Sequence, residues 1–252
     1  GTLEGFTHEF VAHGKLTTGQ GNLVLENLAM AKDSTADDYN WAGVLTAQQF
    51  NIGAFLGVKE IGRITGTANM IGYGTDVPSI VATMNANFSS FEYNNYNYSN
   101  ITVSEGSLAK EVFDGTVRVH DPNIELENKG FVDFINPDDP KLDFWAHIEN
   151  ADFSKLGFVD TSMRLIVSTD MRFAMHGNDI DNLDGSISLS ELHFSKKDKQ
   201  YHLNEMTLIS TREKNQRHLF FGSDFLNVNL DGEFQLLKLP EAITDVMTAY
   251  IP

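Results

Sequence analysis

The 252-residue sequence predicts a mainly β protein, built from an extended antiparallel sheet with few short helices. Apolar and polar residues alternate with a period of two along most of the chain between Phe6 and Phe234, which is the spacing of strands with one buried face. Clusters of glycine, asparagine, aspartate and proline interrupt this alternation at short intervals, as turns require. A clear helical spacing of apolar residues occurs only near the C-terminus, from Leu237 to Tyr250.

The segment from Phe113 to Ile148 shows the alternation most clearly, because it divides into short strands with no space for a helix between them. Its junctions contain the turn residues aspartate, asparagine, glycine and proline. We therefore predict an antiparallel meander in which one side is apolar. That side comprises Phe113, Gly115, Val117, Val119, Ile124, Leu126, Val132, Phe134, Leu142, Phe144, Ala146 and Ile148.

The chain before this segment also reads as strands. Residues 51–57 fit either a short helix or an irregular apolar corner, because their glycines weaken a helix. In FEYNNYNY, Tyr93, Tyr96 and Tyr98 are the kind of rings that stack on sugars, but an exposed tyrosine-rich strand is the preferred interpretation. The other strands predicted here are 6–12, 22–25, 41–50, 64–70 and 80–88.

After Ile148, residues 152–157 predict one or two helical turns, and the most regular strand of the chain follows. Its polar side carries Arg164 and Asp170. A C-terminal helix is predicted from Leu237 to Tyr250, with Pro240 in its first turn. The apolar side of the regular strand comprises Met163, Leu165, Val167, Thr169, Met171, Phe173 and Met175, and later strands are predicted at 183–189, 201–208, 219–221 and 226–234.

A weak internal repeat organises these elements. Residues 113–117 and 183–187 share the pattern apolar, aspartate, glycine, hydroxyl, β-branched, and each stands before a turn and another strand. The sequence therefore predicts one β segment over residues 1–252, with two possible repeat blocks at about 1–150 and 151–252.

Composition excludes several classes of function. A net charge of −17 repels nucleic acid and anionic membrane surfaces, so no nucleic-acid partner is predicted. The chain contains no cysteine, which removes disulfides and zinc-thiolate sites, and no apolar run of the roughly 20 residues that a membrane helix needs. It begins without methionine or a signal peptide, which predicts a fragment of a longer protein.

No catalytic motif stands out, so we predict a protein that is not an enzyme and that uses no cofactor. The eight histidines lack the close spacings of a metal motif, and no metal site is predicted. Residues 179–191 partly match a calcium-binding loop, but Ile180 stands where the first carboxylate belongs, and a polar hairpin turn is the preferred interpretation.

Four stretches together resemble the AsmA/TamB superfamily, in particular its TamB-like translocation and assembly proteins. The resemblance rests on sequence patterns that recur over nearly the whole chain. No catalytic motif contributes to it. The stretches are GFTHEFVAHGKLTTGQGNLVLENLAM at 5–30, FNIGAFLGVKEIGRITGTANMIGYG at 50–74, GSLAKEVFDGTVRVHDPNIELENKGFVDF at 106–134 and DPKLDFWAHIENADFSKLGF at 139–158.

The resemblance implies a sheet folded into an open apolar groove (a β-taco-like fold). It also implies a periplasmic segment of a protein that is anchored in the inner membrane by a segment absent here. Phospholipid acyl chains are the implied partners, and an outer-membrane assembly protein of the Omp85 type is the implied partner of regions outside this chain. The implied role is phospholipid transport to the outer membrane or protein assembly there. The candidates for lining the groove lie on the predicted apolar side of their strands. They are Val117, Val119, Phe144, Leu165, Val167, Met171 and Phe173.

Two alternatives remain open from the sequence. A β-rich carbohydrate-binding or adhesin module would use Tyr93, Tyr96 and Tyr98. An outer-membrane barrel would need strands of roughly 9–11 residues, and many of the predicted strands are shorter. The alternation alone does not distinguish an open groove from a closed sandwich, because both need one apolar side per strand.

Overall fold

A computed structural model describes residues 1–6, 8–35, 38–57, 59–76, 79–133, 135–136, 138–196, 199–214 and 216–238. Its strands form one open antiparallel sheet of fifteen members, in which each strand pairs with the next one along the chain. This confirms the predicted mainly β, antiparallel fold with few short helices. The strands are β1 (Thr2–Phe6), β2 (Glu9–Thr18), β3 (Gly21–Lys32), β4 (Tyr39–Asn51), β5 (Ile61–Tyr73), β6 (Val81–Tyr93), β7 (Tyr96–Ala109), β8 (Val112–Asp121), β9 (Ile124–Asp133), β10 (Lys141–Asp152), β11 (Leu165–His176), β12 (Asp184–Lys196), β13 (Lys199–Glu213), β14 (Gln216–Ser223) and β15 (Asn227–Gly232).

Within residues 1–238, as far as the structure describes them, helical structure is confined to short connections. The 51–57 segment forms the helix α1 (Ile52–Leu56), which begins where the Asn51 side chain accepts a hydrogen bond from the Ala54 N–H (2.9 Å) and ends at Gly57, whose φ is +75°. Residues 153–157 form hydrogen-bonded turns, in which the Asp152 carbonyl accepts the Lys155 N–H (3.0 Å) and the Leu156 N–H (2.9 Å), as in the single helical turn predicted here. Single 3₁₀ turns occupy Thr161–Met163, Ile180–Asn182 and Leu236–Lys238.

Most of the predicted C-terminal helix, from residue 239 onward, lies outside the described residues, as does Phe134 of the predicted meander. Among the described residues, no helix is long and apolar enough to cross a membrane.

The two faces of the sheet differ sharply in chemistry. Residues paired across neighbouring strands project from the same face, so one set can be followed from strand to strand. We call the face that carries Phe88, Val103, Val117, Phe144 and Phe173 the apolar face. The opposite face, which carries Arg118, Glu127, His147, Asp170 and Arg172, is called the polar face.

Irregularities in the strands interrupt the alternation at regular intervals. Register shifts occur in most strand pairs, and the residues beside them include several with positive φ. Extra residues of this kind bend a strand and increase the local twist of the sheet. They also keep apolar residues on one face along strands of 12 to 15 residues. Examples with positive φ are Asn27, Gln49, Asn100, Glu105, Asn150 and Glu191.

The buried apolar residues that the structure describes form clusters on the apolar face. Its main cluster joins Ile101, Val119 and Ile124 of the sheet to Ala151 and Leu156. A second cluster surrounds Phe50 and Ile64, and a third surrounds Ala86 and Val103. In the described part of the chain no second sheet packs on these clusters, so much of the apolar face stays half-exposed.

Candidate functional site

A cavity of about 370 Å³ opens on the apolar face between β5 and β9. Side chains from five successive strands, together with Phe158 of the β10–β11 connection, line it. Every lining side chain is aliphatic or aromatic. They are Ile64, Phe88, Phe91, Tyr93, Tyr98, Ile101, Val117, Val119, Ile124, Leu126 and Phe158.

The β10–β11 connection closes one end of this cavity. We call residues 152–163 the cap. Leu156, which is fully buried, packs with Ile101, Val119 and Ile124 of the sheet, while Phe158 of the cap lines the cavity and remains 49% exposed. Two hydrogen bonds hold the cap to the start of β11: the Phe153 N–H donates to the Leu165 carbonyl (2.9 Å), and the Leu165 N–H donates to the Ser154 hydroxyl (2.9 Å).

A polar network lies at the rim between the cavity and the cap. The Asp121 carboxylate accepts hydrogen bonds from the Tyr96 hydroxyl (2.5 Å), the Ser99 hydroxyl (2.8 Å), the Ser99 N–H (3.0 Å) and the Asn123 N–H (2.9 Å). Burial by itself raises the pKa of Asp121. Together these hydrogen bonds lower the pKa by more than burial raises it, so the pKa of Asp121 lies below the usual value. The Lys155 ammonium of the cap donates to the Asn123 side chain (3.1 Å), which ties the cap to this network.

The tyrosines of FEYNNYNY belong to the apolar face. Tyr96 and Tyr98 meet edge to face, with ring centroids 4.7 Å apart, and both pack against the main core cluster. Burial raises the pKa of Tyr98 to about 12. Burial and the hydrogen bond to Asp121 raise the pKa of Tyr96. Only Tyr93 of the three is exposed, at 38%, and it lines the cavity.

The seven predicted lining residues all project from the apolar face. Val117 and Val119 line the cavity itself. The others lie further along the same face: Phe144 pairs with Phe173, Met171 with Ala146, Val167 with Ala151, and Leu165, at the start of β11, with Lys196. Of the residues predicted on the opposite side, Asp170 is on the polar face, and Arg164 lies before β11 with a φ of +46°.

Nine of the cavity residues were not among the seven predicted groove-lining residues, although Tyr93 and Tyr98 were candidates for sugar binding. Phe88, Ile101, Ile124 and Leu126 have the alternating pattern, which identifies the face but not where a cavity forms on it. The contribution of Phe158 has no local sequence signal, because it depends on the cap folding back over the sheet.

Ion pairs cover the polar face. Arg118 donates two hydrogen bonds of 3.0 Å to the Glu127 carboxylate, and Arg172 pairs with Asp143. His147 lies between Asp170 (2.6 Å) and Glu149 (3.1 Å), and the hydrogen bond to Asp170, followed by that to Glu149, raises the pKa of His147. Among the described residues this face is therefore mainly charged and polar, with isolated exposed apolar side chains such as Trp145.

The 179–187 segment forms a turn held by a buried arginine. Arg217, 3% exposed on β14, donates to the Leu183 carbonyl (3.3 Å), the Asp181 carbonyl and the Ser210 hydroxyl (2.9 Å). A guanidinium at this place uses backbone oxygens that a calcium loop would need and adds a repelling positive charge. The geometry favours the hairpin-turn interpretation of this segment.

Comparisons with known protein families, with curated proteins and with solved structures find no match for this chain. The candidate site therefore rests on its own geometry: a long apolar face, an apolar cavity between β5 and β9, and a cap with a polar rim at one end of that cavity.

Proposed function

We propose that this chain is a non-enzymatic lipid-binding module whose apolar face holds the acyl chains of phospholipids. The observation that supports this proposal most is the cavity between β5 and β9, which is lined only by aliphatic and aromatic side chains and which no described segment fills. A ligand for such a surface is held by removal of apolar area from water. No catalytic residue is needed for this role.

The energetics favour a hydrocarbon chain over a compact polar ligand. Each CH₂ group that moves from water onto an apolar surface contributes about 0.8 kcal/mol. The cavity walls lack polar side chains apart from the tyrosine hydroxyls, so they provide few partners for a ligand rich in hydroxyl groups. The Asp121 network, with Lys155 beside it, supplies polar groups only at the rim, where a headgroup meets water.

The extent of the apolar face fits a path along which lipid moves. Neighbouring strands are about 4.8 Å apart, so fifteen of them span roughly 65 Å. The hydrocarbon layer of one leaflet is only about 15 Å thick, half of the roughly 30 Å core of a bilayer. The face therefore exceeds the length of a single acyl chain several-fold, which is useful in a conduit and unnecessary in a single-ligand pocket.

The resemblance to the AsmA/TamB superfamily supports a wider proposal. The parent protein would be anchored in the inner membrane, extend through the periplasm and act in phospholipid transport to the outer membrane or in protein assembly there. An Omp85-type assembly protein would then contact regions outside this chain.

One observation favours this proposal over a carbohydrate-binding module. Sugar stacking needs rings that are open to solvent, whereas Tyr96 gives its hydroxyl to Asp121 and Tyr98 is packed edge to face against Tyr96. Only the Tyr93 ring is substantially exposed.

Site-specific photocrosslinking tests the proposal with two neighbouring aromatic positions. Benzoylphenylalanine would replace Phe144, on the apolar face, or Trp145, which projects from the polar face and is 41% exposed. We expect phospholipid adducts in Gram-negative cells and in lipid-vesicle mixtures from position 144 and few from position 145. Equal adduct yields at the two positions, or none at either, would refute a lipid-binding apolar face.

A further inference from the structure

A second candidate site lies on the polar face, across β12 and β13. His193 and His202 are directly paired cross-strand neighbours, and their rings stack with centroids 4.2 Å apart and planes 13° from parallel. Glu191, two residues before His193, projects from the same face. All three side chains are exposed, so an ion reaches them directly from solvent.

The three side chains converge on one point. The Glu191 Oε2 atom lies 3.3 Å from the His202 Nε2 atom and 3.8 Å from the His193 Nε2 atom, and the three ligand atoms lie within 4.8 Å of one another. Two ligands that are each about 2.1 Å from a tetrahedral zinc ion lie roughly 3.4 Å apart. The separation between Glu191 and His202 is already close to this distance, and the two stacked rings must tilt toward each other for both imidazole lone pairs to meet at one ion.

A β-bulge in β12 places the Glu191 side chain on the polar face. Glu191 has a φ of +50°, and it is the extra residue where the β11–β12 register shifts. The bulge puts both Ser190 and Glu191 between Leu189 and Leu192, which stay on the apolar face. On β13, the Asp224 carboxylate accepts the N–H groups of Asn204 (2.6 Å) and Glu205 (3.2 Å), which fixes the strand opposite Glu191.

We propose that Glu191, His193 and His202 bind Zn²⁺ on the polar face. Two imidazoles and one carboxylate are a ligand set that zinc accepts, and water completes the tetrahedron. The ion would bridge β12 and β13 near the end of their hairpin, so binding stabilises the folded state by an amount that grows with the logarithm of the zinc concentration above Kd. This proposal is independent of the lipid-binding proposal, because it uses the opposite face of the sheet.

The test is calorimetric titration of the untagged full chain with ZnCl₂, in a buffer that does not bind metal. We expect one saturable site per chain. His193→Ala, His202→Ala and Glu191→Gln should each weaken zinc binding by at least about tenfold, the loss seen even when an outer-shell partner of a metal is removed. Because the three residues are exposed, the variants should keep the strand signal in circular dichroism.

His218→Ala provides the matched control. His218 is also an exposed polar-face histidine paired with a carboxylate, Asp231 (2.6 Å), but the pair has no third ligand beside it among the described residues. This variant should bind zinc as the parent does. Absence of a saturable site in the parent would overturn the proposal, as would unchanged zinc affinity in the His193→Ala/His202→Ala double variant.

Discussion

Phe144 and Phe173 stack face to face across β10 and β11, with ring centroids 4.8 Å apart and planes only 7° from parallel. Both rings project from the apolar face, and both are half-buried although no described segment covers them. The pair thus extends the apolar face beyond the capped cavity, where, under the proposed function, an acyl chain would continue along the sheet.

The first prediction concerns this surface. Phe173→Asp puts a carboxylate where hydrocarbon would lie, and burying a charge without a partner is costly, so phospholipid should be excluded. We expect the lipid that co-purifies with the chain, measured by extraction and mass spectrometry, to fall several-fold. The sheet stays open to water at this place, so the strand signal in circular dichroism should persist.

Ser188→Asp is the control for that change. Ser188 is the polar-face neighbour of Arg172, so the added carboxylate gains a cationic partner without touching the apolar face. Its lipid content should equal that of the parent. An equal loss of lipid in the two variants would mean that the added charge, and not the apolar face, controls binding.

The sequence predicts the faces of this sheet better than its shape. Alternation is enough to place Val119 and Phe173 on one face, because side-chain direction has a period of two along a strand. Strand length is underestimated where polar residues continue the strand, as in β14, which runs over Gln216–Ser223 although the apolar pattern covers only 219–221.

Bulges and the cap are harder to predict. Asn150 and Glu191 are polar residues like many others in turns, and only the pairing with a neighbouring strand shows that they are extra residues within a strand. Leu156 lies in a segment whose local pattern indicates a turn. That it is fully buried depends on contacts with Ile101 and Val119, which are distant in sequence.

The second prediction tests how the cap is held. Leu156→Ala leaves a cavity in the main core cluster, and truncation of a fully buried leucine costs about 2–5 kcal/mol. Phe158→Ala, in the same cap but at a side chain 49% exposed, should cost about 1 kcal/mol or less. Urea denaturation measures both. Similar losses in the two variants would contradict the packing of the cap through Leu156.

The third prediction concerns the pH dependence that Asp121 provides. Its pKa in the folded chain is lower than the unfolded value of 3.8, so it contributes stability above that value, and this contribution is lost as pH falls through the folded pKa. Asp121→Asn should lower the free energy of unfolding at pH 7 and reduce its fall in acid. Asp114→Asn, at an exposed residue of the polar face, should change neither quantity appreciably.

The fourth prediction concerns His147, whose contribution to stability changes with pH in the direction opposite to that of Asp121. The carboxylates of Asp170 and Glu149 raise the pKa of His147 above its ordinary value of 6.5. A raised pKa contributes stability that is fully present below 6.5 and is lost as pH rises through the folded value. NMR titration of the His147 ring should show the raised pKa, and Asp170→Asn should bring it down. A titration that Asp170→Asn leaves unchanged would show that the short contact with Asp170 does not control the ring.

The last prediction concerns the close approach of β9 and β10 beside Phe144. Gly130 of β9 pairs with Phe144 and has a φ of +154°, and a Cβ atom there would stand 2.2 Å from the Asp143 carbonyl oxygen and 2.5 Å from the Phe144 Cα atom. Gly130→Ala must therefore push β10 away, which we expect to cost about 2 kcal/mol or more and to disturb the Phe144–Phe173 stack.

Gly14 of β2 is the matched control, because a Cβ atom there meets nothing within 4 Å, and Gly14→Ala should be neutral or stabilise the fold by about 0.5 kcal/mol. Urea denaturation of the two variants measures the difference, and a Gly130→Ala protein as stable as the Gly14→Ala protein would show that β9 and β10 do not approach each other as closely as this pairing requires.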